Sequence, residues 1–337
     1  VRIATYNVEW FNALFDDGGR LLNDKAWSGR QNVTRAEQIT GLAAVFRALD
    51  ADAAMIIEAP DRNGRRDTVR ALESFARHAR IRAKKAIMGF KNDSEQEIAL
   101  LYDPEALAIR HDPIATKTAP RFDASFRLDL DRNGIAETVT FSKPPLELAC
   151  EAPSGRRFRM IGVHVKSKAP HGARGEEEIR RLALANRTKQ LAQSIWLRHR
   201  IEGHLMAQDS LIVLGDFNDG PGLDEYEKLF GRSSVEIVMG TDGAPRKLRL
   251  FDPHARHAMR RPAEAHPATA RFFQPDTGQW LSALLDYAML SPDLCALSPR
   301  WRIWHPFDDR ECYRDEKLRQ ALLHASDHFP LSVDLAL

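Results

Sequence analysis

Apolar residues in this chain come in short bursts, and the polar residues that end or interrupt them are of a few chemical types. Ile3-Ala4-Thr5-Tyr6-Asn7-Val8 reads as a strand interrupted at Asn7. Ala53-Ala54-Met55-Ile56-Ile57 is continuously apolar, has the length of a buried strand, and stops at Glu58. The same reading holds for 98–102, for 159–165 with His164 near its end, and for 211–214, which feeds Gly215-Asp216-Phe217-Asn218. Late strands are predicted at 284–290, around Asp286, and at 331–335, just after Asp327 and His328.

Between these runs the period changes to that of helices. Thr34 followed by Glu37 forms a capping-box pattern, and Ile39, Leu42, Phe46 and Leu49 then predict an amphipathic helix over 35–49. Val69, Leu72, Phe75 and Ala76 mark a second helix. A long helix is predicted over 176–201, with Ile179, Leu182, Leu191 and Ile195 toward the core. Glu176, Glu177 and Glu178 fall in its first turn and Arg198, His199 and Arg200 in its last, the polarity that suits the helix dipole. Residues 15–33 and 241–280 lack clear periodicity and read as loops. FRLDLDRNGIAETVTF alternates around Asn133-Gly134, a hairpin signal. Asp129, Asp131, Asn133 and Gly134 also match the first half of a calcium loop, whose twelfth position would be Thr140 where a bidentate Glu is required. Irregularly alternating strands and helices, with hairpins mixed in, exclude a pure parallel barrel and predict an α/β fold with mixed sheets.

Composition narrows the class. With 337 residues, 43% hydrophobic and 28% charged, the chain can bury a sizeable core and is not a disordered polymer. It contains no run of ~18 uncharged apolar residues, so no spanning helix is encoded. Forty-nine basic and 47 acidic residues leave a formal charge of +2, which excludes a histone-like polycation but not an enzyme with a local basic groove. Cys150, Cys295 and Cys312 have no zinc-ligand spacing, and one disulfide with a spare thiol is compatible with them. The chain opens at Val1 in an apolar run, as expected where a targeting segment has been trimmed or removed.

Glu58, Asp327 and Asn7 offer hard oxygen donors of the kind Mg²⁺ takes while it keeps several waters. His164 and His328 can contact phosphate oxygens, and Asp216 and Asp286 can fix their tautomers or stabilise their charge. Asn218 can orient a water or a phosphate. Together these suit in-line attack of water on a phosphodiester. Neither a GxxxxGK[ST] loop nor a GxGxxG is present, so nucleoside-triphosphate and dinucleotide readings lack support.

The order of these motifs resembles the endonuclease/exonuclease/phosphatase superfamily, the DNase-I-like fold. The matching pieces are TYNVEW, IIEAP, FSKPPLEL, GVHVKSK, VLGDFNDGPG, LLDYAML and ASDHFPL, which span residues 5 to 331. The resemblance implies a four-layer αββα sandwich of two mixed, largely antiparallel sheets, with 1–337 as a single catalytic domain. It implies a divalent metal, Mg²⁺ with Mn²⁺ or Ca²⁺ as alternatives, held mainly by Glu58 with Asn7 and Asp327 close by. His328 matches the family's general base or phosphate-activating imidazole, oriented by Asp286. His164 matches a second phosphate-contacting imidazole, and Asp216 and Asn218 match the pair that positions nucleophile and phosphate. The water's proton is left divided between Asp216 and a histidine. Glu95 and Glu97 are candidates to support His164, as a carboxylate does in some relatives, with plain solvation as the other reading.

The continuation after GDFN is Asp219-Gly220-Pro221, unlike abasic-site endonucleases, and Tyr287-Ala288-Met289 after Asp286 is unlike inositol polyphosphate 5-phosphatases. NVEWF, HVKSK and the following helix look most like bacterial, often exported, nucleases. That favours export over a cytoplasmic setting, with DNA as substrate and RNA as a second candidate. A phosphatase or phospholipase-type esterase, and a non-enzymatic binding module on the same fold, are the competing readings. No protein partner is implied, and a monomer is expected.

Lys166 and Lys168 would share a strand face with His164 and reach a bound phosphate, or else simply be solvated. Arg62, Arg65 and Arg66, with Arg256, Arg260 and Arg261, either rim a phosphate-tracking groove or are solvated charge runs. Trp10, Phe11 and Trp280 are candidates for base stacking or for core packing.

Overall fold

The structure is a computed structural model that describes residues 1–337 except 95, 117, 131–133, 135, 171, 221–230, 242, 261–266 and 275–277. In chain order its strands are β1 (Arg2–Asn7), β2 (Ala53–Pro60), β3 (Lys85–Met88), β4 (Gln96–Tyr102), β5 (Ala108–His111), β6 (Phe126–Leu128), β7 (Glu137–Val139) and β8 (Leu146–Glu151). They continue with β9 (Arg157–His164), β10 (Leu211–Asp216), β11 (Ala270–Gln274), β12 (Gln279–Ala283), β13 (Asp286–Leu290), β14 (Arg300–Ile303) and β15 (Leu331–Asp334). The main helices are α1 (Arg35–Leu49), α2 (Thr68–Ala79) and α3 (Glu176–Met206).

Two sheets carry the architecture. One has six strands in the order β14-β15-β1-β2-β4-β3, the other five in the order β13-β10-β9-β8-β5. Each is antiparallel except for one central parallel pair, β1 with β2 and β9 with β10.

The alternation of side chains along a strand then decides the layers. Ile3, Met55 and Leu100 from the first sheet face Met160, Ile212 and Leu290 from the second. On the far face of the first sheet, Tyr6, Ala54 and Ile56 pack against Leu42 and Phe46 of α1 and Leu72 and Phe75 of α2. On the far face of the second, Ile161, Val163 and Val213 meet Trp196, Leu197 and Ile201 of α3. The expected αββα sandwich is therefore present. Because the central strands are covered on both faces, they read as unbroken apolar runs. At Gly162 the sheets approach so closely that a Cβ would lie 2.4 Å from the sulfur of Met55. No described helix is long and apolar enough to cross a membrane.

Local signals hold where they are local. Both bonds of the Thr34–Glu37 capping box form at the start of α1. A second capping box, Ser233 with Glu236, opens a helix at Ser234–Met239 that periodicity alone does not announce.

Three expectations are corrected. First, α3 runs on to Met206, so Arg198 and Arg200 lie within it rather than in its last turn. Arg200 is buried against the carboxylate of Glu147, and Arg198 donates to the carbonyls of Val238 and Leu248. Second, 241–280 is not all loop. It holds a helix at Pro253–Arg260, whose amides at His254 and Ala255 are capped by Asp252, and the antiparallel ribbon β11–β12. That ribbon is exposed along much of its length, so it lacks the alternation of a half-buried strand. Third, β6 and β7 do form a hairpin, but Phe126 pairs with Val139, whereas a two-residue Asn133-Gly134 turn would pair it with Phe141. Asp131 and Asn133 lie outside the described residues. All three cysteines are free.

Candidate active site

The two parallel strand pairs end at the same edge of the sandwich, and the polar residues singled out in the sequence lie there. In the second sheet Asp216 is the partner of His164 across the parallel pair and of Asp286 across the antiparallel one, so three of the candidate side chains stand in a row. Gly215 makes that row possible. Its φ is +137°, and a Cβ there would lie 2.1 Å from the Val163 carbonyl oxygen.

In the first sheet Asn7 pairs with Ile57, and the register shifts between Ile57 and Ala59. The skipped residue is Glu58, at φ 62°. A bulge of this kind re-aims one side chain at the cost of backbone strain of about 1–3 kcal/mol. Asn218 is also left-handed, at φ 51°, a conformation asparagine tolerates better than most residues.

Hydrogen bonds join the two rows. Asn7 Nδ2 donates to Asp216 Oδ2 across the sheets at 3.0 Å. Asp216 also accepts from the Asn218 amide at 2.7 Å and from its Nδ2 at 3.2 Å, and His164 Nε2 lies 3.7 Å from Asp216 Oδ2. His328 Nδ1 is 2.7 Å from Asp286 Oδ2, and both side chains are buried. Thr269 braces this pair. Its hydroxyl accepts from the amides of Leu285 and Asp286, and its carbonyl accepts from the amide of Phe329. Ser326 ties the Asp327-His328 segment to the end of β1, donating to the Asn7 carbonyl at 2.8 Å and accepting from the amides of Glu9 and His328.

Burial, with repulsion between neighbouring carboxylates behind it, dominates the electrostatics of the site. Burial, with Asp327 adding to it, raises the Glu58 carboxyl above its ordinary range against the opposing pull of Lys143 and His328. Glu9 is raised likewise by burial and by Asp327 and Glu58, although Arg30 is bonded to it. Asp216 is raised by burial and by Asp286. Burial disfavours charge on His328, yet Asp286, Asp216 and Asp327 outweigh it and raise its pKa well above the usual imidazole value. His164 goes the other way, lowered by burial and by Lys143, His328 and Lys166.

A divalent cation fits these residues. Crowded buried carboxylates are stabilised by a hard cation, and Asn7 Oδ1 is buried without a partner, an oxygen donor in waiting. Among the described residues no three acidic, histidine or cysteine side chains form a closed cage. An ion held by one or two carboxylates, an amide oxygen and water needs none.

Other expectations fare differently. The strand ends at His164, so Lys166 and Lys168 do not share a strand face with it. Lys168 is bonded to the buried Asp219 at 2.7 Å, and the backbone amide of Lys166 donates to Gln193. Glu97 does not support His164. It is buried and accepts from Asn92 and from the Arg62 amide, while Glu95 lies outside the described residues. Phe11 is core, against Phe15 and Phe75, whereas Trp10 and Trp280 are exposed. Arg66 is tied to Asp61, and Arg62 and Arg65 lie near Asp67 and Asp17, so this cluster is internally balanced. Arg256 and Arg260 are exposed, and Arg261 lies outside the described residues.

Sequence reasoning missed Glu9, Gln96, Lys143, Thr269 and Ser326. Glu9, Lys143 and Ser326 lie inside the quoted motifs NVEW, FSKPP and SDH, and motif membership was their available signal. Gln96 and Thr269 carry none.

No curated protein matches the chain. Among solved structures it is similar to TDP2 from Caenorhabditis elegans, at 13% identity and a TM-score of 0.52, over 99% of this chain and 74% of that one. It is similar to an AP endonuclease from Archaeoglobus fulgidus, at 13% identity and a TM-score of 0.50, over the whole of both chains. The endonuclease domain of TRAS1, a telomere-specific non-LTR retrotransposon, matches at 14% identity and a TM-score of 0.49, over 100% of this chain and 98% of that one. At these identities the likeness is one of fold. The sequence profile of the endonuclease/exonuclease/phosphatase family, whose members are typically metal-dependent phosphoester hydrolases, matches residues 4–328, and this chain belongs to that family.

Proposed function

We propose that the chain is a divalent-metal-dependent nuclease that cleaves phosphodiester bonds of DNA or RNA by in-line attack of water, with 1–337 acting as one catalytic unit. The observation that carries this reading is the buried His328–Asp286 pair set in one cleft with the sheet-bridging Asn7–Asp216 bond. Glu58, with Asn7 and Asp327, would hold the metal. When bound, the ion supplies charge neutralisation at the phosphate.

The remaining chemistry belongs to side chains. Asp286 holds the Nδ1 proton of His328, so the ring stays an imidazolium whose Nε2–H clamps a non-bridging phosphate oxygen. With that ring already protonated, Asp216 takes the water's proton, held in place by Asn7 and Asn218. His164 donates from Nε2 on the side of the leaving oxygen. Nucleic acid is taken as the substrate ahead of a small phosphate because the motifs NVEWF and HVKSK resemble those of nucleases in the family.

The experiment is nicking of supercoiled plasmid in Mg²⁺ or Mn²⁺, with and without EDTA. We expect cleavage that chelator stops, and binding that weakens steeply as salt rises, because a nucleic-acid strand releases counterions when bound. Hydrolysis of inositol phosphates or sphingomyelin with little salt dependence, and none of plasmid, single strands or RNA, would instead identify the small- or lipid-phosphate esterase. No turnover on any of these substrates with Mg²⁺, Mn²⁺ or Ca²⁺ would leave the binding module.

A further inference from the structure

The imidazole of His164 has an unusual neighbour. Its Nδ1 lies 3.2 Å from Nζ of Lys143, in the bend that leads into β8. An ammonium has three protons to give and no lone pair to offer. Toward Lys143, therefore, Nδ1 can only accept. The second donor direction of Lys143 goes to Oε1 of Gln96 at the start of β4. The other end of that amide, Nε2, donates to Glu58 Oε2 at 2.6 Å. Only one orientation of the Gln96 amide serves both neighbours, since the ammonium demands the oxygen and the carboxylate demands the nitrogen.

We propose that Lys143 and Gln96 are positioning residues, a polar relay that ties the His164 ring to the Glu58 carboxylate and locks the ring in the tautomer with Nδ1 bare and the proton on Nε2. The relay spans three elements that are far apart in sequence, the bulge at Glu58, the start of β4 and the bend before β8. On the far side of the ring Nε2 faces Asp216 Oδ2 at 3.7 Å, where a proton is welcome and a lone pair is not. Both ends of the ring thus ask for the same tautomer. The positive charge of Lys143 also discourages a second proton on the ring, in accord with the lowered pKa of His164. The consequence for catalysis rests on the nuclease reading above: a neutral His164 presents one N–H donor to the cleft and keeps no lone pair there to compete for the water's proton.

The test is ¹⁵N NMR of the metal-free, substrate-free protein labelled at histidine, with the His164 signals identified by their loss in His164→Gln. We expect Nδ1 to resonate as an unprotonated nitrogen and Nε2 as a protonated one. Lys143→Arg, which keeps a donor, should preserve that pattern. Lys143→Glu, which replaces the donor with an acceptor, should move the proton to Nδ1. Folding of each variant is checked by its circular dichroism. A protonated Nδ1 in the unsubstituted protein, or an unchanged tautomer in a folded Lys143→Glu variant, would overturn the relay. If Lys143→Glu does not fold, Gln96→Leu provides the second reading: loss of its oxygen frees Lys143, so His164 should show exchange between tautomers, and a single sharp unchanged pattern would count against the proposal.

Activity is measured separately. Outer hydrogen-bond partners of catalytic groups are worth about 10–100-fold, so Lys143→Met should lower kcat by that factor with KM little changed. The spectra need neither metal nor substrate. A correct tautomer in a protein that cleaves no phosphodiester would refute the nuclease reading and leave the relay standing.

Discussion

His328→Ala should lower the proposed phosphodiester cleavage by about 10²–10³-fold, the range that loss of one preorganised donor to a developing oxyanion costs. The side chain is buried, its Nδ1 is held by Asp286 at 2.7 Å, and its charge is favoured further by Asp216 and Asp327. Removing it takes away the fixed cation that the proposed phosphate would meet. Glu58→Ala should have an effect of the same order for a different reason, because it would remove the chief oxygen donor of the proposed metal set. The two should separate on rising Mg²⁺: Glu58→Ala recovers in part as metal is raised, whereas His328→Ala does not. Plasmid-nicking rates across a Mg²⁺ series, with thermal melts to show that each variant folds, make the measurement. Full activity in either variant sinks the site assignment. Asp286→Asn is the milder probe. It keeps the shape of the pair, removes its charge, and should lower the rate by less than His328→Ala.

The largest expected effect on stability lies just outside the cleft, at Asp219. Its carboxylate is buried and accepts from Lys168 Nζ, Arg187 Nη1 and the Ser234 amide, each at 2.7 Å. Arg187 is itself fully buried and also donates to Gln190 and to the Arg232 carbonyl. Asp219→Asn leaves that guanidinium without its counter-charge, and breaking one partner of a buried pair costs about 3–5 kcal/mol.

The pH dependence follows from the same bonds. Burial alone would raise the Asp219 carboxyl, but Lys168 and Arg187 outweigh it and hold it below the ordinary aspartate value. A depressed folded-state pKa contributes stability that is complete above the unfolded value, about 3.9, and is lost as pH falls through the folded one. The difference between the native chain and Asp219→Asn should therefore be full at pH 7, begin to shrink below about pH 4, and close in stronger acid, where both carry a neutral group. Urea melts across that range measure it. A difference that stays constant with pH would show that the cost comes from shape and not from charge.

Asp219 also shows what the sequence leaves out at Lys168. As sequence, Lys-Ser-Lys after a strand histidine looks like a pair of phosphate-facing cations. The acid that claims Lys168 is 51 residues away and comes into reach only when the chain just after β10, at Asn218 and Asp219, packs against Arg187 and Gln190 of α3. Glu97 teaches the same lesson with opposite charge. A carboxylate near His164 was a reasonable expectation, yet strand alternation buries Glu97 among Asn92 and the Arg62 amide, and a lysine from another segment takes the place at the ring.

What this sequence determines by itself is whatever a few neighbouring residues can settle. Strand alternation, unbroken apolar runs, the capping box at Thr34 and the polar residues at strand ends are short-range properties. They were enough to place Asn7, Glu58, His164, Asp216, Asn218, Asp286, Asp327 and His328 at the ends of strands or beside them. The tertiary structure alone decided which of these meet and who stands behind them. The Asn7–Asp216 contact joins residues 209 positions apart, and His328 and Asp286 are 42 apart. Such pairings depend on sheet order and on the packing of one sheet against the other, and no local pattern encodes either. The partners of the ionisable groups follow the same rule, because a charge buried by one segment must be answered by whichever segment the fold brings beside it.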